Sequence, residues 1–420
     1  MKASALVWLN IFRPGTGAFQ RHNNKDLWSN HLMRINSAVG CALRLFRRNI
    51  TSNVRSTGID RPVSLGFHKS YSWAGLSPVN SISAGSPKTV STTGRQQTIS
   101  NMAESNMAEP KPLRYVDIGI NLSDPVFRGE YHGKQAHEDD LDDVVQRARD
   151  VGCSKFMVTG SDLVESKHAI HIASKYPGFC YATVGVHPCQ AKLFDEYPGG
   201  PSKMLEELRA LAIESTQSGH AVAFGEIGLD YDRLFLSPKE PQLKYFEAQL
   251  DLAVEIQLPL FLHSRAASED FERLLAPRLA KLPKRGLVHS FTGTMDEMNR
   301  MIALGLDVGV NGCSMKTEEN LEVVKAIPLD RLQIETDGPW CEIRPSHASA
   351  KHLNGAPDLP KAVKKEKWQK GCMVKGRNEP VAIARVAHVI ASVKGITVEE
   401  VCEAAWNNSV RMFGLGEESP

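Results

Sequence analysis

The sequence predicts a (β/α)8 TIM barrel with a disordered N-terminal extension and a Lys-rich insertion after the eighth strand. Three observations predict it. From Arg114 onward, short apolar runs alternate with amphipathic ones, the signature of parallel strands joined by crossover helices. Eight such units fit within about 220 residues, which suits a closed barrel better than an open sheet. Carboxylates and imidazoles recur at the ends of the apolar runs, as they do where parallel strands of a barrel converge on one face. An open doubly wound sheet is the competing architecture.

The chain opens on a basic leader. Residues 1–103 contain thirteen Lys and Arg but only two acids, Asp26 and Asp60, while the remainder has 37 basic and 46 acidic residues. The leader is rich in Ser, Asn and Arg, and from Ser77 to Ser100 it passes into Ser/Thr/Gly/Pro sequence. That composition reads as a mitochondrial transit peptide followed by a linker. The expected organisation is therefore a leader over 1–110 and one barrel domain over 111–416. Met102 and Met107 stand just before the body and would start a shorter cytoplasmic or nuclear form. No apolar run approaches the roughly 18–20 residues of a membrane span, so a soluble protein with no membrane partner is expected. The eight cysteines are scattered without a C-x-x-C, which excludes a zinc ribbon or disulfide scaffold and suits a reducing compartment.

The strands are expected at Tyr115–Ile120, Lys155–Thr159, Cys180–Val186, Ala221–Glu226, Pro259–His263, Gly286–His289, Leu306–Val310 and Arg331–Glu335. Between the first two, Leu141, Val144, Val145, Ala148 and Val151 share one helical face. Leu243, Phe246, Leu250, Ala253 and Val254 repeat that spacing, behind a start signal of Ser237 as N-cap, Pro238 and Glu240. After the eighth strand, Pro339–Asn378 is irregular and carries Lys361, Lys364, Lys365, Lys367, Lys370, Lys375 and Arg377. An apolar face from Val381 to Val393 then gives a helix, and Thr397 with Glu400 opens a last one at capping-box spacing.

The residues at the strand ends carry the chemistry. Strand one contains Asp117 and is followed by Asn121. Strand three leads to His187, strand four ends at Glu226, strand five at His263, strand six at His289, and strand eight leads to Asp337. Any one of these has a dull explanation, such as a hydrogen-bonding His or an Asp that starts a turn. Recurrence on this many strands does not. Glu226, His263, His289 and Asp337 form an O/N donor set of the kind a hard or borderline divalent ion selects. Such an ion polarises an ester or phosphoryl oxygen and acidifies water, and Asp337 would ligate it, accept the proton of the attacking water, or both. The residues themselves thus reach a metal-dependent hydrolase, not its substrate.

The segments Asp117-Ile-Gly-Ile-Asn-Leu122, Gly185-Val-His-Pro188, Gly225-Glu-Ile-Gly-Leu-Asp230, Leu262-His-Ser-Arg265, His289-Ser-Phe-Thr-Gly293, Glu335-Thr-Asp-Gly-Pro-Trp340 and Arg377-Asn-Glu-Pro380 resemble the TatD-related deoxyribonucleases. The resemblance runs from about Tyr115 to Phe413. It implies a barrel of the metal-dependent hydrolase superfamily that cleaves DNA phosphodiesters, commonly from an end, with roles in DNA repair or degradation. It implies Glu226, His263 and His289 as metal ligands, Asp337 as ligand and base, and His187 and Glu226 among the catalytic residues. Mg2+ is the expected ion, with Mn2+ and Zn2+ as alternatives. Relatives often carry His-x-His on strand one, where this chain has Gly119 and Asn121, so one firm ion site is expected. Asn121, Arg265 and Asp230 are the candidate substrate contacts, with Asp230 leaning toward support of a ligand. Arg265 has the fork that suits phosphate oxygens, and the Lys-rich insertion is a candidate holder of the DNA backbone in an otherwise acidic body. Two other functions fit the same residues: a hydrolase of a small ester, amide or phosphoester, and a nuclease-derived nucleic-acid-binding protein of weak activity.

Overall fold

A computed structural model describes residues 112–416. The leader, read from the sequence as a transit peptide and linker over 1–110, lies outside the described residues. Eight parallel strands form one sheet in chain order. They are β1 (Tyr115–Ile120), β2 (Cys153–Val158), β3 (Cys180–Val184), β4 (Ala221–Asp230), β5 (Leu260–Arg265), β6 (Gly286–Val288), β7 (Asp307–Val310) and β8 (Leu332–Ile334). The barrel closes between its first and last strands through backbone hydrogen bonds from Asp337 N to Gly119 O at 2.8 Å and from Asn121 N to Gly338 O at 3.0 Å.

The crossover helices are α1 (Leu141–Asp150), α2 (Leu163–Lys175), α3 (Gly200–Gln217), α4 (Lys239–Ile256), α5 (Ser268–Leu279), α6 (Met295–Ala303) and α7 (Glu318–Ala326). Two more follow β8: α8 (Ile383–Lys394) and α9 (Val398–Phe413). Capping boxes at Thr294, Thr317 and Thr397 satisfy backbone donors that start α6, α7 and α9. The start of α4 differs from expectation. The helix begins at Lys239 after Pro238, and Ser237 caps nothing; its carbonyl accepts from Gln242 Nε2 at 2.8 Å instead. No single helix among the described residues is long and apolar enough to cross a membrane.

The core has two layers. The larger one lies between strands and helices, and the smaller joins Val116, Ile118, Met157 and Phe261 to Trp406, Val410 and Phe413 of α9. The smaller layer draws on the early residues of the strands, so α9 plugs their N-terminal end. The opposite end is left for polar groups.

Candidate active site

At the C-terminal ends of the strands a cavity of about 700 Å³ opens, and all eight residues singled out from the sequence line it. Glu226 is brought there by a bulge. Gly225 pairs with Phe261 and Ile227 with Leu262, so Glu226 is the extra residue between them, and a bulge of this kind re-aims a side chain out of strand alternation. The flanking glycines are required by strand packing. A Cβ at Gly225 would stand 2.1 Å from Phe261 O, and one at Gly228 would stand 1.8 Å from His263 O. Both have positive φ, 156° and 152°. They let β5 close on β4, which fixes His263 beside Glu226.

One oxygen of Glu226 collects three imidazoles. Oε1 lies 2.6 Å from His289 Nε2, 2.9 Å from His263 Nδ1 and 3.3 Å from His187 Nε2. Glu226 is only 7 % exposed, and burial alone would hinder its ionisation. The nearby His289 and His187 outweigh that and hold the carboxyl well below its usual range. For His289 burial opposes the charge, and the facing Glu226 and Glu335 outweigh it, raising the imidazole well above its usual value. The backbone N–H of Cys189 donates to His187 Nδ1 at 3.1 Å, so the His187 proton sits on Nε2 and faces Glu226.

The far nitrogens of the two inner histidines both meet carboxylates. His263 Nε2 lies 3.2 Å from Asp230 Oδ2, and His289 Nδ1 lies 3.3 Å from Glu335 Oε2. That arrangement fixes which nitrogen of a metal-binding histidine keeps its proton. The side-chain donors of Glu226, His263 and His289 lie close enough together to hold one metal ion, and those of His187, Asp230 and His263 form a second such group sharing His263. Asp337 belongs to neither. It lies in the same cavity with φ of 53°, its Oδ1 accepting from Asn121 Nδ2 at 3.0 Å and its Oδ2 from Cys341 Sγ at 3.2 Å. Burial pushes its carboxyl up to about 7. Asn121, expected as a substrate contact, thus engages Asp337.

Asp117 and Glu335, at the ends of strands one and eight, were given no role in the predicted site. Glu335 Oε2 occupies the space of residue 119; a Cβ on Gly119 would stand 2.2 Å from it. Its other oxygen accepts from Ser290 N. Asp117 accepts from Thr336 N at 2.9 Å and anchors the segment that carries Asp337; burial pushes its carboxyl up to about 8. The signal for Glu335 lay two residues before Asp337 in the same segment.

The rim is basic and apolar. Arg233, Arg265 and Lys316 line the cavity beside Trp340 and Leu236. Trp340 is 56 % and Phe235 74 % exposed. Arg265 Nη1 lies 3.6 Å from Asp230 Oδ2. The Lys-rich insertion contributes none of its named cations to this lining. Lys364 and Lys365 border a separate small pocket with Tyr131, Trp368 stacks on His137 at 5.0 Å, and Arg377 is buried against Asp140 and Glu379. The expected phosphate holder is instead packed on the segment between β1 and α1.

Residues 116–414 match the family described as TatD related DNase. The chain is 53 % identical over 313 residues to a Schizosaccharomyces pombe protein named Deoxyribonuclease Tat-D, covering 74 % of this chain and 99 % of that one. It is 34 % identical over 305 residues to an Erwinia tasmaniensis protein named 3'-5' ssDNA/RNA exonuclease TatD, covering 71 % and 99 %. A TatD family hydrolase from Entamoeba histolytica superposes with a TM-score of 0.66 at 37 % identity, over 72 % of this chain and 98 % of that one. An uncharacterized amidohydrolase from Saccharomyces cerevisiae gives 0.66 at 36 %, over 72 % and 100 %. The barrel, the strand-end cluster and these matches agree: the chain belongs to the TatD-related DNase family, hydrolases that act on ester bonds.

Proposed function

We propose that this protein is a divalent-metal-dependent exonuclease acting on single-stranded DNA ends. The observation that carries the reading is the convergence of three imidazoles on Glu226 Oε1 at the floor of a basic-rimmed cavity. Glu226, His263 and His289 would hold the ion, Mg2+ first and Mn2+ or Zn2+ as alternatives, which would supply Lewis acidity toward the scissile phosphate and a more acidic water. Asp230 and Glu335 keep the two histidines oriented with their far protons in place. Asp337, with a carboxyl pushed up to about 7, accepts the proton of the attacking water. Arg265, Arg233 and Lys316 hold phosphates, and Trp340 offers a face on which an unpaired base stacks.

The absence of the His-x-His pair does not by itself favour a faded binding protein, because the space of residue 119 is filled by Glu335, which backs His289. The test incubates the full chain with end-labelled single- and double-stranded DNA, with Mg2+, Mn2+ or chelator. Stepwise loss of nucleotides from the single strand, absent in chelator and in Glu226→Ala, is expected. Binding without cleavage under every divalent ion would sink the reading, and hydrolysis confined to small esters would replace it. Trp340→Ala is expected to weaken single-strand binding by about 1–3 kcal/mol, with little change for duplex; an equal loss on both would remove the stacking role. The basic leader is proposed to send the protein to mitochondria, and an intact Met1 on protein isolated from that compartment would argue against processing.

A further inference from the structure

We propose that Cys313 and Cys341 are an oxidisable pair, closed by peroxide into a disulfide that withdraws a hydrogen-bond donor from Asp337 and slows the reaction. The effect on rate rests on the nuclease reading; the bond itself does not. The two sulfurs lie 2.6 Å apart although 28 residues separate them in sequence. A disulfide requires about 2.05 Å, so little movement is needed. Both side chains line the active-site cavity and are partly exposed, whereas Cys153, Cys180, Cys372 and Cys402 are buried.

Their backbones are held in place. Cys313 N donates to Asn311 Oδ1 at 2.8 Å. A Cβ at Gly312 would stand 2.0 Å from Cys341 O, so the loops after β7 and β8 touch because residue 312 has no side chain. Cys341 Sγ also lies 3.2 Å from Asp337 Oδ2. Its one thiol proton therefore has two acceptors, Cys313 Sγ and the Asp337 carboxylate. Neither cysteine belongs to a group of donors close enough to share a metal ion among the described residues, which leaves redox chemistry as their distinctive capacity. In a reducing compartment such pairs are transient and responsive, not structural.

The step balances with a peroxide as oxidant. The Cys313 thiolate attacks one peroxide oxygen, the O–O bond breaks, and the leaving hydroxide takes a proton to give water and Cys313 sulfenic acid. The Cys341 sulfur then displaces the sulfenic oxygen, which leaves as water with the Cys341 proton. Two thiols lose two electrons and one hydrogen peroxide becomes two waters. The contact with Cys341, with Lys316 nearby, lowers the Cys313 thiol from its usual range and makes Cys313 the nucleophile of the two.

The test treats the full chain with hydrogen peroxide in chelator, removes it, alkylates free thiols and maps the peptides by mass. A cross-linked Cys313–Cys341 peptide pair lighter by two hydrogens, split by dithiothreitol, is expected. With divalent ion restored, cleavage of a single-stranded oligonucleotide should fall about tenfold in the oxidised protein, the worth of a hydrogen bond to a charged group, and recover with dithiothreitol. The ratio of oxidised to reduced rate within each protein is the readout, and in Cys313→Ser it should stay near one. Free, alkylatable Cys313 and Cys341 after peroxide would overturn the pair, and an equal peroxide loss in Cys313→Ser would place the sensitivity elsewhere. A bond that forms without changing the ratio would overturn the gating. A protein that cleaves nothing even when reduced would fail the nuclease reading, while the peptide map still decides the bond.

Discussion

Two buried charged clusters sit in this barrel, and they differ in what they lack. On the outside of the first crossover, Arg147 and Arg377 face Asp140 and Glu379. Arg147 Nε meets Glu379 Oε2 at 2.8 Å, Arg377 Nη1 meets Asp140 Oδ1 at 2.8 Å, and Arg377 Nη2 meets Glu379 Oε1 at 2.8 Å. Two fixed cations oppose two carboxylates, so the protein neutralises the charge by itself. Among the described residues of the cavity, Glu226, Asp230, Glu335 and Asp337 are opposed by histidines and by cations of the rim. Four acids gathered without a buried Arg or Lys are costly unless something else brings positive charge. The first cluster is finished by the chain; on the proposed function, the second is completed by a bound ion.

The largest expected effect tests that contrast directly. Glu226→Ala should lower kcat/KM on single-stranded DNA by about a thousandfold or more, a loss far larger than its loss of stability, although it also removes the carboxylate that favours the charged His289. Arg377→Ala should do the reverse. It leaves Arg147 alone against Asp140 and Glu379 in the interior and should cost about 3–5 kcal/mol of unfolding free energy, with kcat retained at a temperature where the protein is folded. A catalytic defect in Arg377→Ala larger than its loss of stability, or a collapse of stability in Glu226→Ala, would break the distinction between the clusters.

A smaller effect sharpens it. Asp230→Asn keeps the shape of the side chain but takes the charge from behind His263, whose Nε2 it faces at 3.2 Å. Titration of the protein with Mn2+ should show affinity weaker by about 10–100-fold, and saturating ion should restore most of the rate. A fall in rate that excess ion leaves untouched would mean that Asp230 acts on the substrate, as the sequence had left open.

The fold was legible because barrel strands are punctuated by their neighbours: β1 falls at Tyr115–Ile120 as expected, and the other strand boundaries shift by a few residues. The site was legible for the same reason, since residues at parallel strand ends must converge wherever they lie in the chain. Contacts between loops were not. Nothing in the sequence pairs Cys313 with Cys341, or directs the oxygens of Asp337 toward Asn121 and Cys341, because those contacts depend on how the loops after β7 and β8 meet. Glu335 was given no role because its carboxylate fills the space above Gly119, and an empty position on one strand reports nothing about which distant side chain enters it.

The smallest expected effect concerns the Lys-rich insertion. Its composition invites a phosphate-binding role, and its place in the fold argues against one. Lys365 Nζ sits 4.5 Å over the Tyr131 ring and Lys370 Nζ 3.9 Å from Asp143, on the side of the barrel where α1 packs. Lys316, by contrast, lines the cavity. Replacing Lys364, Lys365 and Lys367 together by Ala should leave single-strand affinity and its salt dependence unchanged. Lys316→Ala should reduce the slope of log K against log salt by about 0.7, one phosphate contact on a single strand. Three charges that matter less than one would show that, on this acidic body, position relative to the cavity and not the number of lysines decides where DNA is held. A slope lowered by about 2 in the triple variant would instead return the insertion to the binding surface.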